Sequence, residues 1–286
     1  FDVTAFENMA TALTVGQRVP GLAMAIVQNG RVLSARGYGV TDVTSPQAID
    51  SHTVFRLASL SKAFAGTMTG LLVNDGSLRW DSKVTDYVPS FNLSDPAATQ
   101  RVTVADLLSH RVGLKSHNAF DRDIEANGEY YGVSQKLASA PLNCAPGQCY
   151  AYQNVAFSLI GDVVFAATGS FYDQAVDRRI FKPLGMNDAS IGLTGIESSS
   201  RWARPHVRSR NGWVSLMPKP TYYRLPPAAG VNASASDMAQ WLIAQTGHRP
   251  DVLPAPLLAT LHAPIISTPG EMRSGWRRER IHSASY

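Results

Sequence analysis

The chain has 286 residues, of which 44% are hydrophobic and 17% are charged. This is the composition of a folded protein with a sizeable core, and it excludes the disordered and fibrous classes. No apolar run reaches the ~18 residues that a membrane-spanning helix requires, so no membrane span is predicted. The net charge of +4 is scattered except for WRRER at 276–280, which argues against a nucleic-acid partner.

The first predicted elements are two strands within 21–39. Asn29-Gly30 separates an apolar run from an alternating one, and this dipeptide is the strongest short signal for a hairpin turn. The pattern predicts a sheet with one face on a core. A helix is then predicted from near Ser59 to 74–76, whose Asn-Asp-Gly sequence is typical of a helix C-terminus.

Apolar periodicity predicts four further helical segments: 102–114, 152–169, 172–186 and 234–247. Thr103 and Ser234 are candidate N-caps of the first and the last of these. Residues 195–230 show no clear period and are predicted to be irregular. The order of hairpin, helices and irregular stretch indicates an α+β protein with a helical insertion.

The two cysteines, Cys144 and Cys149, flank a Pro-Gly turn signal in NCAPGQCY. Such a turn can bring their Cα atoms within disulfide range, and no histidine lies close enough in sequence to suggest a metal site. We favour a disulfide over two free thiols, and therefore an oxidising, periplasmic or secreted location. The chain begins at Phe1 rather than Met, for which a cleaved signal peptide and an artificial boundary are both explanations.

Two short motifs carry candidate chemistry. Ser59 and Lys62 form the only Ser-x-x-Lys, in RLASLSKAFAG. On a helix they share one face, which lets the amine accept a proton from the hydroxyl. Tyr152 and Asn154 form the only Tyr-x-Asn; a phenol can relay protons, and an amide can orient a carbonyl substrate. Taken singly, Tyr152 also suits a half-buried core position and Asn154 a helix cap.

These motifs and their surroundings resemble the serine β-lactamase-related hydrolases, with the class C type and its related esterases and D-amino-acid peptidases as the nearest group. The resemblance runs along essentially the whole chain, in PGLAMAIVQNGRVLSARGYGVTD, FRLASLSKAFAG, TVADLLSHRVGL, YQNVAFSLIG, PLGMNDASI and PAAGVNASASDMAQWL. It implies that Ser59 is the nucleophile, Lys62 its activating partner, Tyr152 the second acid–base group and Asn154 a substrate-orienting residue. The implied reaction is attack on a lactam, amide or ester carbonyl followed by hydrolysis of an acyl-enzyme, with no cofactor and no metal.

The resemblance also implies a fold, an antiparallel sheet flanked by helices and packed against a mostly helical domain. We assign 1–80 and 200–286 to the α/β domain and 81–199 to the helical domain, with the active site between them. The family carries a third motif, Lys-Thr-Gly or His-x-Gly, on a strand; the nearest match, Arg273-Ser274-Gly275, lies in a charged stretch. We therefore expect the C-terminal strands to be missing from this chain. We favour an associated C-terminal fragment of the same protein, which completes the sheet, over a truncated relative that lacks these strands.

Several alternatives stay open. Residues 116–118, Ser-His-Asn, have the Ser-x-Asn form of other branches of the superfamily, but we rank them below Tyr152 as the second motif. The preferred function is a class C-like β-lactamase acting on a small-molecule or peptide substrate, and a carboxylesterase or D-amino-acid peptidase of the same fold is the alternative. A non-catalytic, penicillin-recognising binding protein is the alternative of another class. The histidines form no His-Glu-x-x-His pattern, so zinc hydrolysis is not indicated.

Overall fold

The computed structural model describes residues 1–265. In this range the strands are β1 Gly21–Gln28, β2 Arg31–Gly39, β3 Phe55–Arg56, β4 Ser190–Ile191, β5 His206–Ser209, β6 Gly212–Ser215 and β7 Val231–Ala233. The α-helices are α1 Val3–Val15, α2 Ser61–Asn74, α3 Val84–Tyr87, α4 Pro96–Thr99, α5 Val104–Leu108, α6 Asp121–Glu125, α7 Tyr130–Gln135, α8 Val155–Thr168, α9 Tyr172–Val176, α10 Lys182–Leu184, α11 Leu193–Glu197, α12 Pro226–Ala229, α13 Ala235–Ile243 and α14 Ala255–His262. Turns of 3₁₀ helix occupy Ala58–Leu60, Lys136–Ser139 and Thr221–Arg224, and π-helical turns occupy Asp177–Phe181 and Ala244–His248.

The described residues divide into two compact units. One contains residues 1–57, 180–220 and 231–254, and the other contains 58–179, 221–230 and 255–265. All of the strands named above lie in the first unit, and the second is built from helices. Helices combined with small antiparallel sheets confirm the predicted α+β class. The domain assignment made from the sequence, with a site between two domains, stays a prediction.

The hairpin at the start of the first unit confirms the strongest local prediction. Strands β1 and β2 pair antiparallel, with Gly21 opposite Gly39. The turn residues Asn29 and Gly30 have φ of 49° and 72°, the left-handed values that a type I′ turn requires at both central positions. Helices α1 and α13 pack on this hairpin and cover it. Local turn chemistry therefore sets the register next to the turn, and an irregularity between Ile26 and Val27 shifts the pairing by one residue over the rest of the hairpin.

Gly37 in β2 lets another stretch of backbone come close to the strand. A Cβ atom at residue 37 would lie 2.3 Å from the carbonyl carbon and oxygen of Ile49. We expect Gly37→Ala to lower the free energy of unfolding by about 1–3 kcal/mol in urea titrations, because main-chain atoms must move to make room.

Gly132→Ala is the matched control for that change. A Cβ atom at Gly132, within α7, would meet nothing within 4 Å. Since alanine is the better helix former, we expect this variant to be as stable as the parent or more stable by about 0.5–1 kcal/mol. Equal stabilities of the two variants would contradict the assigned close approach of Ile49.

The segment predicted to be irregular contains a second hairpin, so that prediction was wrong for residues 206–215. Strands β5 and β6 are four residues each and pair antiparallel. Arg208 and Trp213 both donate hydrogen bonds from their side chains to the backbone carbonyl of Gln17. No residue of either strand is buried, and the strands lack the regular alternation of apolar residues that reveals a half-buried strand, which is why the sequence pattern missed them.

The remaining strands form a small sheet of order β3-β7-β4, in which β7 is the central strand and both neighbours run antiparallel to it. Helix α13 follows β7 directly. Ser234 caps this helix in a reciprocal capping box with Asp237, as predicted from the sequence.

Helix α2 is the centre of the second unit. Its residues Phe64, Met68 and Leu72 recur every four positions and are almost fully buried, and α8, α9, α12 and α14 pack against it. The helix ends at Asn74, as predicted, with Gly76 in the left-handed region. Burial on this scale fixes α2 as a rigid base for the side chains at its N-terminus.

The other predicted helices of this unit are present with shifted bounds. Thr103 forms the expected cap of α5, in a capping box with Asp106, but α5 ends at Leu108. Helix α8 ends at Thr168, with the predicted Gly169 as its left-handed C-cap, and it begins at Val155 rather than at residue 152. Among the described residues no single helix has the length and hydropathy of a membrane span. The helices Val155–Thr168 and Tyr172–Leu184 have the required length and hydropathy only when they are counted together, and a 74° bend separates them.

Candidate active site

The side chains of both motifs meet in the second unit. Ser59 is exposed and lies in the 3₁₀ turn that leads into α2, while Lys62, in the first turn of α2, is only 2% exposed. The Lys62 Nζ atom lies 3.3 Å from the Ser59 Oγ atom. Ala58, directly before the serine, has φ of 47°, a left-handed conformation that costs a non-glycine residue about 1 kcal/mol or more. Such strain persists where the surrounding structure imposes it, and it is common at functional sites.

Lys62 is held by two further acceptors. Its Nζ atom donates to Asn154 Oδ1 at 2.7 Å and to the backbone carbonyl of Ala228 at 3.0 Å. Burial lowers the pKa of Lys62 from 10.5 to about 7, although the carboxylate of Asp121 acts in the opposite direction. A substantial fraction of the amine is therefore neutral at neutral pH, with a lone pair that can take the Ser59 proton.

Tyr152 reaches the same serine from another part of the chain. Its hydroxyl donates to Ser59 Oγ at 2.8 Å, and Lys62 Nζ lies 4.6 Å from the centre of its ring. Burial raises the pKa of the Tyr152 phenol, with the hydrogen bond to Ser59 acting against that shift. The phenol is therefore neutral at physiological pH, which leaves Lys62 as the better base for Ser59.

The rival motif contacts Tyr152 through the backbone. The Tyr152 N–H donates to Nδ1 of His117 at 3.0 Å, and the Tyr152 carbonyl accepts the Asn118 N–H at 2.7 Å. Within residues 1–265, neither the Ser116 nor the Asn118 side chain is hydrogen-bonded to Ser59 or Lys62. These bonds hold residue 152 outside α8. Of the two candidate motifs, it is Tyr152 whose side chain is hydrogen-bonded to Ser59 in the described part of the chain.

Asn154 precedes α8 but does not cap it. Its side chain makes no capping hydrogen bond. Instead the Oδ1 atom accepts from Lys62, and the Nδ2 atom donates to Asp121 Oδ2 at 2.7 Å. Asn154 is 7% exposed, and each end of its amide is hydrogen-bonded to a protein side chain.

Sequence reasoning missed two side chains of this cluster, Asp121 and His110. The His110 ring lies 4.4 Å from the Tyr152 ring and 5.3 Å from that of Phe157, centre to centre, and its Nδ1 atom accepts the Gln153 N–H at 3.1 Å. The only signal was that His110 belongs to the family-like segment TVADLLSHRVGL. Nothing local marked Asp121. Among the described residues no group of His, Cys, Asp and Glu side chains is arranged to hold a metal ion.

The structure contains the disulfide predicted between Cys144 and Cys149. The loop that it closes is tied to the segment after α5, because the Asn143 N–H donates to the Gly113 carbonyl and the Gly147 N–H to the Arg111 carbonyl. Tyr152 lies three residues beyond Cys149, so this loop sets the path by which the chain reaches the site.

Replacing both cysteines by serine is expected to lower the free energy of unfolding by about 2 kcal/mol, as loop-closure entropy predicts for so short a loop. Urea unfolding of the double variant and of the parent measures the difference. The parent treated with a phosphine reductant is the control and should match the variant. An unchanged free energy of unfolding would show that the backbone hydrogen bonds alone hold this loop.

Comparisons with known proteins identify the family of this chain. The beta-lactamase family matches residues 6–280. The chain is 26% identical over 265 residues to protein flp of Staphylococcus aureus (strain COL), covering 90% of this chain and 52% of flp. It is 27% identical over 290 residues to penicillin-binding protein 4 of Amycolatopsis lactamdurans, covering 96% and 74% of the two chains.

The fold is similar to that of the octameric penicillin-binding protein homologue from Pyrococcus abyssi, with a TM-score of 0.81 at 23% identity over 95% of this chain and 62% of that one. The chain thus spans about half the length of flp and under two thirds of the Pyrococcus abyssi protein. Because the family match extends over nearly its whole length, this chain belongs to the beta-lactamase family.

Proposed function

We propose that this protein is a serine hydrolase that forms an acyl-enzyme on Ser59, with class C-like β-lactamase activity as its leading function. One observation carries the proposal. The exposed Ser59 Oγ accepts a hydrogen bond from Tyr152 and lies 3.3 Å from the amine of Lys62, a buried lysine whose pKa is about 7. A serine hydroxyl needs a base within such reach to become a nucleophile.

The residues support a balanced acylation step. The Ser59 oxygen forms a bond to the carbonyl carbon of the lactam while its proton passes to the neutral Lys62 amine. Negative charge then develops on the carbonyl oxygen, beside the N-terminus of α2, where backbone N–H groups stabilise it. When the carbon–nitrogen bond breaks, the nitrogen receives a proton from the neutral Tyr152 phenol. A water molecule then attacks the acyl carbon and gives a proton to the Tyr152 phenolate, while Ser59 leaves with the proton that Lys62 had taken. Both groups are thereby returned to their starting states.

The choice of penicillin as the first substrate to test comes from the relatives. One relative, at 27% identity, is named a penicillin-binding protein, and beta-lactamase family members are generally serine hydrolases. Ester and D-peptide carbonyls undergo the same chemistry, and the preference among them depends on the shape of the pocket. The disulfide supports a periplasmic or secreted location.

The function is tested by offering the purified protein a penicillin, a p-nitrophenyl ester and a D-alanyl-D-alanine peptide in parallel. We expect the penicillin to be hydrolysed with repeated turnover. Hydrolysis of the ester or the peptide with the penicillin left intact would assign the protein to the esterase or peptidase branch. A stable adduct with no turnover of any substrate would identify a penicillin-recognising binding protein.

The pH dependence of that activity is a separate expectation. Lys62 accepts a proton only when it is neutral, so kcat/KM should fall below pH 7 as the amine becomes protonated, and should level off above it. The decrease of kcat/KM on the acid side of its pH profile, the acid limb, is expected to have its midpoint near pH 7, because burial lowers the pKa of Lys62 to about 7. A midpoint near pH 4, typical of a carboxylate, would rule out Lys62 as the base.

An associated C-terminal fragment of the same protein remains part of this proposal. Within residues 1–265, strand β1 pairs with β2 alone, so its second edge offers unpaired backbone groups to a further strand. Native mass spectrometry of the protein from its own source tests this. A second polypeptide in the complex is expected, and a stable single-chain species of this length would contradict it.

A further inference from the structure

A buried carboxylate lies on the far side of Asn154 from Lys62. Asp121, the first residue of α6, is 7% exposed, and its Oδ2 atom accepts the Asn154 Nδ2 hydrogen bond at 2.7 Å. The Tyr222 hydroxyl lies 3.3 Å from the same oxygen and donates to Glu125 Oε1 at 2.6 Å. The other oxygen, Asp121 Oδ1, is buried and has no hydrogen-bond partner among the described residues. Burying a carboxylate with so few donors is costly, so this one requires an explanation.

The explanation lies in the orientation of the Asn154 amide. The oxygen and the NH₂ end of an amide have nearly the same shape, and only the partners decide which end faces which side. Burial raises the pKa of Asp121, and the hydrogen bond from Asn154 acts against that shift. In its ionised form the carboxylate can only accept hydrogen bonds, so Asp121 then requires the NH₂ end. The amide oxygen is then turned towards Lys62, where it accepts from Nζ.

A rotated amide would disable the base. Its NH₂ end would then face Lys62 and could donate to the lone pair of the neutral amine. That lone pair is the one that has to take the Ser59 proton. In the observed orientation the amide oxygen and the Ala228 carbonyl both accept hydrogen bonds from Lys62 Nζ, and the lone pair of the neutral amine stays available for the Ser59 proton.

We propose that Asp121 is a positioning residue which, through Asn154, holds Lys62 in the orientation and charge state that the reaction of Ser59 needs. This inference rests on the proposed function and deepens it. Besides orienting the amide, the Asp121 charge opposes the effect of burial on the Lys62 pKa. Within residues 1–265, the titratable groups facing Lys62 are Asp121 and Tyr152, and those facing Asp121 are Lys62, Glu125 and Tyr222.

Two substitutions of Asp121 separate its effect on the orientation of the Asn154 amide from the effect of its charge on Lys62. Asp121→Asn keeps an oxygen that can accept a hydrogen bond from Asn154 but removes the negative charge. We therefore expect kcat at pH 8 to stay within about threefold of the parent. The acid limb of the pH–activity profile should move to lower pH, because the charge that raises the Lys62 pKa is gone. Asp121→Ala removes the acceptor, so kcat should fall about 10- to 100-fold with KM little changed, since misplacing a catalytic group by about 1 Å can cost that much. Thermal unfolding checks that both variants fold.

Glu125→Gln is the matched control, because it removes the neighbouring carboxylate charge while keeping an acceptor for Tyr222. We expect its acid limb and its kcat to match those of the parent. An Asp121→Ala variant that folds and keeps full kcat would overturn the positioning role.

A titration that needs no substrate separates this inference from the proposed function. Lysine side chains carrying ¹³C at Cε report the protonation of Lys62 by NMR, assigned with Lys62→Met. A Lys62 pKa lower in Asp121→Asn than in the parent and in Glu125→Gln supports the coupling, even if no substrate is hydrolysed. Identical Lys62 titrations in all three proteins would overturn it.

Discussion

Ser59→Ala is expected to lower kcat/KM by at least about 10³-fold and to abolish acylation. The variant leaves the buried Lys62 and the Tyr152 phenol in place but removes the oxygen that forms the acyl bond. Removal of the nucleophile from a cooperating set of residues usually eliminates nearly all of the rate enhancement that the set provides. Steady-state hydrolysis of the best substrate, measured beside thermal unfolding, separates this loss from misfolding.

Ser116→Ala is the matched control for that experiment. Ser116 is exposed and belongs to the rival Ser-x-Asn motif. Its backbone carbonyl, which accepts a hydrogen bond from the Gln153 side chain, is kept in the alanine variant. We expect kcat/KM within about twofold of the parent, as for a surface substitution away from the chemistry. A loss equal to that of Ser59→Ala would move the reaction to the rival motif.

The second large effect is expected from Lys62→Met. Methionine matches the unbranched stem and suits the buried position, but it has no amine to take the Ser59 proton. The acylation rate should fall by about 10²- to 10⁴-fold, the usual contribution of a general base. Rapid-quench measurement of adduct formation is the appropriate assay, because it isolates acylation from later steps.

Lys62→Arg distinguishes a base from a fixed positive charge. A guanidinium stays protonated throughout the accessible pH range, so it can donate to Asn154 and Ala228 but cannot accept a proton. We expect the arginine variant to acylate as slowly as the methionine variant at every pH. Recovery of activity in Lys62→Arg would mean that Lys62 acts through its charge, and that Ser59 has another base.

The features that could be predicted from the sequence are those determined by neighbouring residues. Asn29 and Gly30 both adopt the positive φ that their turn requires, and Thr103 and Ser234 both form capping boxes. The short distance between Ser59 and Lys62 also agrees with their three-residue spacing, although Ser59 lies in the 3₁₀ turn before α2 and not in the α-helix itself.

The features that could not be predicted depend on contacts between distant parts of the chain. Tyr152 was expected at the start of a helix, but its backbone is bonded to His117 and Asn118 instead. Asp121 reaches Asn154 across 33 positions, and no local pattern announces such a contact. The nearest match to the third family motif, at 273–275, lies outside the described residues, as does the basic segment 276–280.

The central claim is that Ser59 forms an acyl-enzyme, and it is tested most directly by mass spectrometry of acid-quenched reactions with a penicillin. Opening a lactam ring expels no fragment, so the account predicts a mass increase equal to that of the whole penicillin. The increase should map to the peptide that contains Ser59 and should be absent from Ser59→Ala. An adduct on another residue, or penicillin hydrolysis undiminished in Ser59→Ala, would contradict the account.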